Sequence, residues 1–313
     1  MRRWALLSTG WLLLAASGAW AYETDQFNNR LEPIDDSTAL LNDEVNRTLL
    51  AIAEEWDGPR DDAAFVQEIY QRIGGVHWVD KLERWAMESP DVERLSTPRR
   101  DSIYAGHPIY ATRVAALFGV GPTIKINDQL VGSDKLGHFL SQGRKFWLRY
   151  QRMEDEAQAA EHSAYTERAL FGQMSTGSYS NADLVANYEG FLFYKSLFVD
   201  GVVPGKPAIL RWDNGAWTLQ RTFDFADHVN AYWDEAININ HFDSWLYPYM
   251  QMRFMEFCPL FHEAPESFLV SNEAELIERY SHLQLRDTSE LRLTALCVEE
   301  REMAAGDGAA SAD

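Results

Sequence analysis

Asp134 and His138 stand four residues apart, as do Asp183 and Asn187. That spacing puts both members of each pair on one helix face, one turn apart. A histidine, two carboxylates and a carboxamide support two kinds of chemistry. Imidazole nitrogen and carboxylate oxygen are ligands for a divalent metal, and the same groups make acid/base pairs. Lys135 places a cation beside Asp134, Ser180 a hydroxyl ahead of Asp183, and Glu167 a further carboxylate between the two pairs. His138, Glu167 and Asp183 are therefore the candidate catalytic residues. Asp134, Lys135, Ser180 and Asn187 are the candidate ligand-binding ones. Phe139, Phe146, Trp147, Tyr188, Phe191 and Tyr194 crowd these positions. Polar groups set among aromatics need partners, because an unpaired buried one costs about 1–3 kcal/mol. A purely structural hydrogen-bond network meets the same need. Ser180-Asn-Ala-Asp183 also has the form of a capping box, and Asp134 suits the first turn of a helix.

The elements that must position these groups follow from periodicity. A helix over Asp134 to about Arg152 carries the first pair, a second over Glu154 to Met174 carries Glu167, and a third over Ser180 to Phe198 carries the second pair. Gly137, Gly143, Gly172 and Gly190 would let the helix backbones approach. Elsewhere, Thr38 to Trp56 and Asp61 to Ile73 have helical apolar spacing, and Gly74-Gly75 stops the latter. Further helices are expected near Trp78 to Trp85, Ala226 to Ile237, Phe242 to Phe257, Glu273 to His282 and Leu291 to Met303. Thr123 to Asn127 reads as a small strand. Ala208 to Trp212 and Ala216 to Gln220 flank Asp213-Asn214-Gly215, a hairpin signal. Tyr22 to Ser37 reads as an extended polar leader. The expected fold is mainly α, a helical domain with one or two small β-hairpins. It spans residues 22–303, with a sub-boundary near 200–222 and a disordered tail at 304–313.

At this point the chain resembles a known family. Asp134-Lys135-Leu-Gly-His138-Phe139 is similar to the Asp-Lys-x-x-His-Phe signature of the VanZ-like proteins, a family linked to glycopeptide resistance, and of a group of uncharacterised bacterial envelope lipoproteins. In those families a Glu follows on the next helix, then a Gly/Ser turn, then Ser-x-x-Asp-x-x-x-Asn-x-x-Gly. The counterparts are Glu167, the turn at residues 175–179, Ser180, Asp183, Asn187 and Gly190. The resemblance covers only residues 133–195. It implies a shared helical core and a shared pocket, but no established reaction. VanZ-like proteins carry this signature on transmembrane helices, whereas these helices bear Lys145, Arg149, Glu154, Asp155 and Glu156. The lipoprotein cysteine and the basic residue of the Ser-rich turn are absent.

A second polar cluster holds Asp234, Glu235, Asn238, Asn240, His241 and Asp243. Such groups hold Ca²⁺ or a sugar in some proteins. The pattern lacks EF-hand spacing, and the plainer reading is a polar helix end with Asn turns. There is no HExxH, no GxSxG and no P-loop lysine.

The chain begins with Arg2 and Arg3, then an apolar run from Trp4 to Ala16, then Ala19-Trp20-Ala21. This is the form of a cleavable signal peptide over residues 1–21, with a periplasmic or secreted destination. No later stretch is long and apolar enough for a transmembrane anchor. The formal net charge of −20 excludes nucleic acid and electrostatic docking on anionic lipid. Two cysteines, Cys258 and Cys297, can pair in an oxidising compartment. Three functions stay open: a pocket that binds an envelope lipid or glycan, a hydrolase using His138 with Glu167 or Asp183, with or without a divalent metal, and a structural scaffold.

Overall fold

The computed structural model describes residues 23–75, 79–106, 119–166, 168 and 177–298. The signal segment, Glu167 and the tail at 304–313 lie outside the described residues. Helix α1 (Thr38–Glu55) forms because Leu41, Val45, Leu49 and Ile52 recur on one stripe, and all four are buried. Helix α2 (Asp62–Arg72) starts where the Asp61 carboxylate accepts the Ala64 N–H, and it buries Phe65, Val66 and Ile69. Helix α3 (Lys81–Glu88) follows, with Leu82, Glu83 and Ala86 inward.

Helix α4 runs through Asp134–Gly137, a π-helical turn His138–Gln142, and Gly143–Met153. In that turn the Gly143 N–H reaches back five residues to the His138 carbonyl. Helix α5 is Glu156–Thr166. Helix α6 is Asn181–Ser196, capped by the Ser180 hydroxyl, which accepts the Asp183 N–H at 3.1 Å. Three shorter helices follow: α7 (Tyr247–Met255), α8 (Cys258–Glu263) and α9 (Glu273–Arg279).

The strands are short and make only two-stranded sheets. β1 (Glu23–Thr24) pairs in parallel with β2 (Val120–Gly121). β3 (Thr123–Ile126) and β4 (Gln129–Gly132) form an antiparallel hairpin through Asn127 and Asp128, both at positive φ. β5 (Ser178–Tyr179) pairs with β8 (His241–Phe242), and β6 (Leu210–Asp213) with β7 (Ala216–Leu219). The β6–β7 turn uses Asn214 and Gly215 at positive φ, as a two-residue hairpin loop requires. The fold is mainly α with small hairpins.

Helix α6 is buried on every side, which makes it the centre of the main apolar cluster. Its crossing with α4 is close because both helices present glycine there. A Cβ on Gly143 would sit 2.6 Å from the Gly190 Cα, and one on Gly190 would overlap the Phe139 carbonyl. Phe139 and Phe193 stack beside the crossing at 5.3 Å, and the Tyr194 hydroxyl donates to the Leu140 carbonyl within the π turn. A second apolar cluster gathers Phe27, Leu246, Met250, Phe254 and Phe257. There Cys258 and Cys297 are bonded, closing a separation of 39 residues with Cα atoms 5.3 Å apart.

Two expectations need correction. Residues 226–237 do not form a helix; they form two 3₁₀ turns, Phe225–Asp227 and Ala231–Trp233. The side chains of Asp224, Asn230 and Asp234 accept the N–H groups of Ala226, Tyr232 and Ala236, so local side-chain caps replace the helical ladder. The segment after Tyr22 is extended only at Glu23–Thr24 and then turns, with the Glu32 N–H donating to the Asn29 carbonyl. Thr24, Asp25, Gln26 and Phe27 are buried, and Asp25 accepts N–H groups from Phe27, Asn28 and Ile103.

Replacing Gly190 by Ala should lower the unfolding free energy by about 3 kcal/mol, because neither backbone at the crossing can retreat without repacking the aromatic layer. A urea unfolding midpoint unchanged from the wild type would mean that α4 and α6 do not cross there.

Candidate functional site

Lys135 enters the core because it is the second residue of α4, directly behind the β3–β4 hairpin. Its side chain is fully buried, and an ammonium in that position requires compensating charge. Nζ lies 2.7 Å from Asp134 Oδ2, 2.8 Å from Asp183 Oδ1 and 2.8 Å from Glu235 Oε1. Burial alone would lower the lysine pKa, but the three carboxylates outweigh it and hold the pKa well above the usual range. The Ser180 hydroxyl caps α6 and also donates to Glu235 Oε1 at 3.0 Å.

His138 sits one turn beyond Asp134. Its Nδ1 is 3.0 Å from Asn187 Oδ1, and its Nε2 is 3.2 Å from Asp183 Oδ2. The Asn187 amide in turn donates to Ser163 Oγ on α5 at 3.2 Å. The two spacings of four, one on α4 and one on α6, therefore face each other across the helix crossing. Burial pushes the Asp183 carboxyl up, yet the neighbouring His138 and Lys135 outweigh it and hold it below its ordinary value. Burial pushes Glu235 up to about 7, with Lys135 opposing.

A further set of acidic groups lies behind Asp134. Gly137 lacks a Cβ where Glu83 Oε2 comes within 2.7 Å of that position. Glu83 is buried, accepts the Asp80 N–H at 3.3 Å, and has no partner for Oε1 among the described residues. Burial, with Asp134 and Asp80 adding like charge, raises its carboxyl well above the ordinary range. The Ser141 hydroxyl lies 2.6 and 2.7 Å from the two oxygens of Asp80, whose pKa burial pushes up to about 7. On another side the Thr24 hydroxyl donates to Asp134 Oδ1 at 3.4 Å, and Gln26 donates to Thr24.

Six of the seven residues singled out from spacing meet here: Asp134, Lys135, His138, Ser180, Asp183 and Asn187. The seventh, Glu167, lies outside the described residues. One potential ligand atom from each of Asp134, His138 and Asp183 lies within 4.8 Å of the other two. Sequence reasoning missed Glu83, Asp80 and Ser163, and it assigned Glu235 to a separate polar helix end. For Glu83 the signal was available, since it lies among the inward-facing positions of α3 with Leu82 and Ala86. For Glu235 the signal was its place directly after the buried Trp233.

The other members of the second polar cluster make contacts of their own, with His241 Nδ1 3.1 Å from the Arg286 guanidinium. Asp234 pairs with Arg30 at 2.7 Å, and Asn238 donates to the Tyr232 carbonyl. No family model, curated protein or solved structure matches the chain.

Lys135→Met should cost about 3–5 kcal/mol, because it strands three carboxylates together. Chemical unfolding at pH 7 checks this, and a loss below about 1 kcal/mol would mean that Lys135 does not hold the network. Asp80 gives a separate pH signature. Its carboxyl binds a proton more tightly in the folded chain than in the unfolded one. Its contribution to stability is therefore full below its ordinary pKa of 3.8 and is lost as pH rises towards about 7. Asp80→Asn should flatten the stability profile over that interval; an unchanged slope would contradict the assignment.

Proposed function

We propose that this chain is an exported cell-envelope protein that binds an envelope component at the His138–Asp183 edge of the network. One observation carries the reading. The six candidate residues converge, and within that set the side chains of His138 and Asp183 are 11% and 12% exposed while Lys135 is 1% exposed. The ammonium is thus an internal support, and the histidine and aspartate form the rim. That rim is rich in acceptors, so it suits a component that offers donors, such as the hydroxyl or amine groups of a glycan or lipid headgroup. The π turn beginning at His138 supports the reading, since such turns occur frequently at functional sites.

Export is supported by the signal-like start of the chain and by the Cys258–Cys297 bond, which suits an oxidising compartment. No described helix is long and apolar enough to cross a membrane. The similarity of residues 133–195 to the VanZ-like signature supports an envelope setting for the pocket.

Simple acid/base hydrolysis by His138 is the less favoured reading. Nδ1 is held by Asn187, and Nε2 faces the Asp183 carboxylate, so neither nitrogen is turned directly to a substrate.

The test is binding to envelope extracts fractionated into glycan and lipid. Wild-type chain should retain one fraction, and Asp183→Ala should lose at least tenfold in affinity while keeping a cooperative thermal transition. If Asp183→Ala binds as the wild type does, or if no fraction is retained at all, the envelope-binding reading falls.

A further inference from the structure

The His138 ring raises a hydrogen-bond problem that its neighbours leave unsolved. Asn187 turns its Nδ2 to Ser163 Oγ, which leaves Oδ1 as the atom 3.0 Å from His138 Nδ1. Nδ1 therefore carries a proton and donates it to the amide oxygen. In the neutral ring, Nε2 then has only a lone pair, and it faces Asp183 Oδ2 at 3.2 Å. Two acceptors confront each other on side chains belonging to residues only 9% exposed. Only positive charge between them makes that contact favourable.

A proton is one candidate and a metal ion is the other. Distance leans towards the ion, since 3.2 Å is the long limit of an N–H···O bond. A charge-assisted N–H···O bond closes to about 2.7–2.9 Å. The edge of a tetrahedron with metal–ligand bonds of about 2.0 Å is about 3.3 Å. The observed 3.2 Å fits the edge.

Three further features agree. One potential ligand atom of Asp134 lies within 4.8 Å of those of His138 and Asp183, a looser spacing than a tetrahedral edge, so the Asp134 carboxylate would close in to supply the third ligand. Lys135 grips Oδ2 of Asp134 and Oδ1 of Asp183, so an ion would take Oδ2 of Asp183 and Oδ1 of Asp134, the latter shared with the Thr24 hydroxyl at 3.4 Å. The bond from His138 Nδ1–H to Asn187 is the outer-shell contact that fixes a ligating imidazole, with Ser163 fixing the amide behind it.

From this geometry we infer that Asp134, His138 and Asp183 bind a divalent cation of the tetrahedral, zinc-like class, with its fourth position open at the rim. The inference rests on reading the His138–Asp183 edge as a binding site, and it names what sits there. The ion takes Nε2 of His138 and one oxygen from each aspartate. Lys135 stays in place as the counter-charge that lets two carboxylates converge. The open position accepts water or an oxygen of the envelope component.

The test uses the full chain, stripped with chelator and titrated with ZnCl₂, then separately with MnCl₂, MgCl₂ and CaCl₂. Zinc should bind with one-to-one stoichiometry by elemental analysis and raise the melting temperature by several degrees at saturation. Asn187→Ala, which leaves the ligands in place, should weaken zinc binding about 10–100-fold. The His138→Gln, Asp183→Asn double variant should abolish it.

The inference is overturned if none of the four ions binds stoichiometrically or moves the wild-type melting temperature. It is equally overturned if the double variant binds zinc as the wild type does, since the ion would then sit elsewhere. Because the metal measurement is made on wild-type protein, misfolding of a variant cannot hide a failure. If zinc fails while the Asp183→Ala loss of envelope binding stands, the binding reading survives without the metal. If zinc binds and no envelope fraction is retained, the metal site survives and the binding reading falls.

Discussion

A lysine ammonium with no access to water holds this structure to one arrangement. Lys135 lies among Asp134, Asp183 and Glu235, and these come from three separate parts of the chain: the start of α4, the first turn of α6 and the segment after Trp233. Any one of these charges buried alone would cost several kcal/mol. The three segments therefore gain from assembling together and lose from assembling in part. Replacing such a cluster by apolar side chains of similar volume could give as much stability, so burial of the ions is not itself an argument for stability. What the cluster supplies is register, because α4 and α6 can exchange these contacts only when Asp134 and Asp183 flank the same lysine.

The helix crossing follows from that constraint. With the N-terminal turns of α4 and α6 pinned, the two axes converge about two turns further on, where Gly143 and Gly190 remove the side chains that would collide. Phe139 and Phe193 then fill the angle beside the crossing, and Asn187 arrives opposite His138. Helix α6 also carries a second buried carboxylate. Glu189 accepts from Arg279 at 2.9 Å and from the Tyr280 hydroxyl at 2.7 Å, and it contacts His228 at 3.1 Å. These partners bring the end of α9 and the segment before the second 3₁₀ turn onto α6. The helix is thus fixed by polar networks on two faces, and the Asp183–Asn187 face is held rigid.

Much of the fold was legible from local pattern. The stripe in α1, the Asp61 cap of α2, the Ser180 cap of α6 and the Asn214-Gly215 turn are each set by residues within a few positions of one another. Residues 226–237 misled because their composition suits a helix while Asp224, Asn230 and Asp234 offer local caps. The segment after Tyr22 misled because its polar composition suited an extended leader. Asp25 and Gln26 are instead buried against the rest of the chain, where Asp25 satisfies three backbone N–H groups.

The site divides along the same line. The sequence by itself determined the two pairs, Asp134 with His138 and Asp183 with Asn187, because helical periodicity converts a spacing of four into a shared face. It also determined that these pairs must be partnered, because they lie among aromatic residues. Only the tertiary structure decided who the partners are. Glu235 is 100 residues from Lys135, and Glu83 reaches the back of the site through the gap at Gly137. No local rule links such positions. Their meeting depends on where whole helices pack, and that is set by the summed burial of a core rather than by any spacing along the chain.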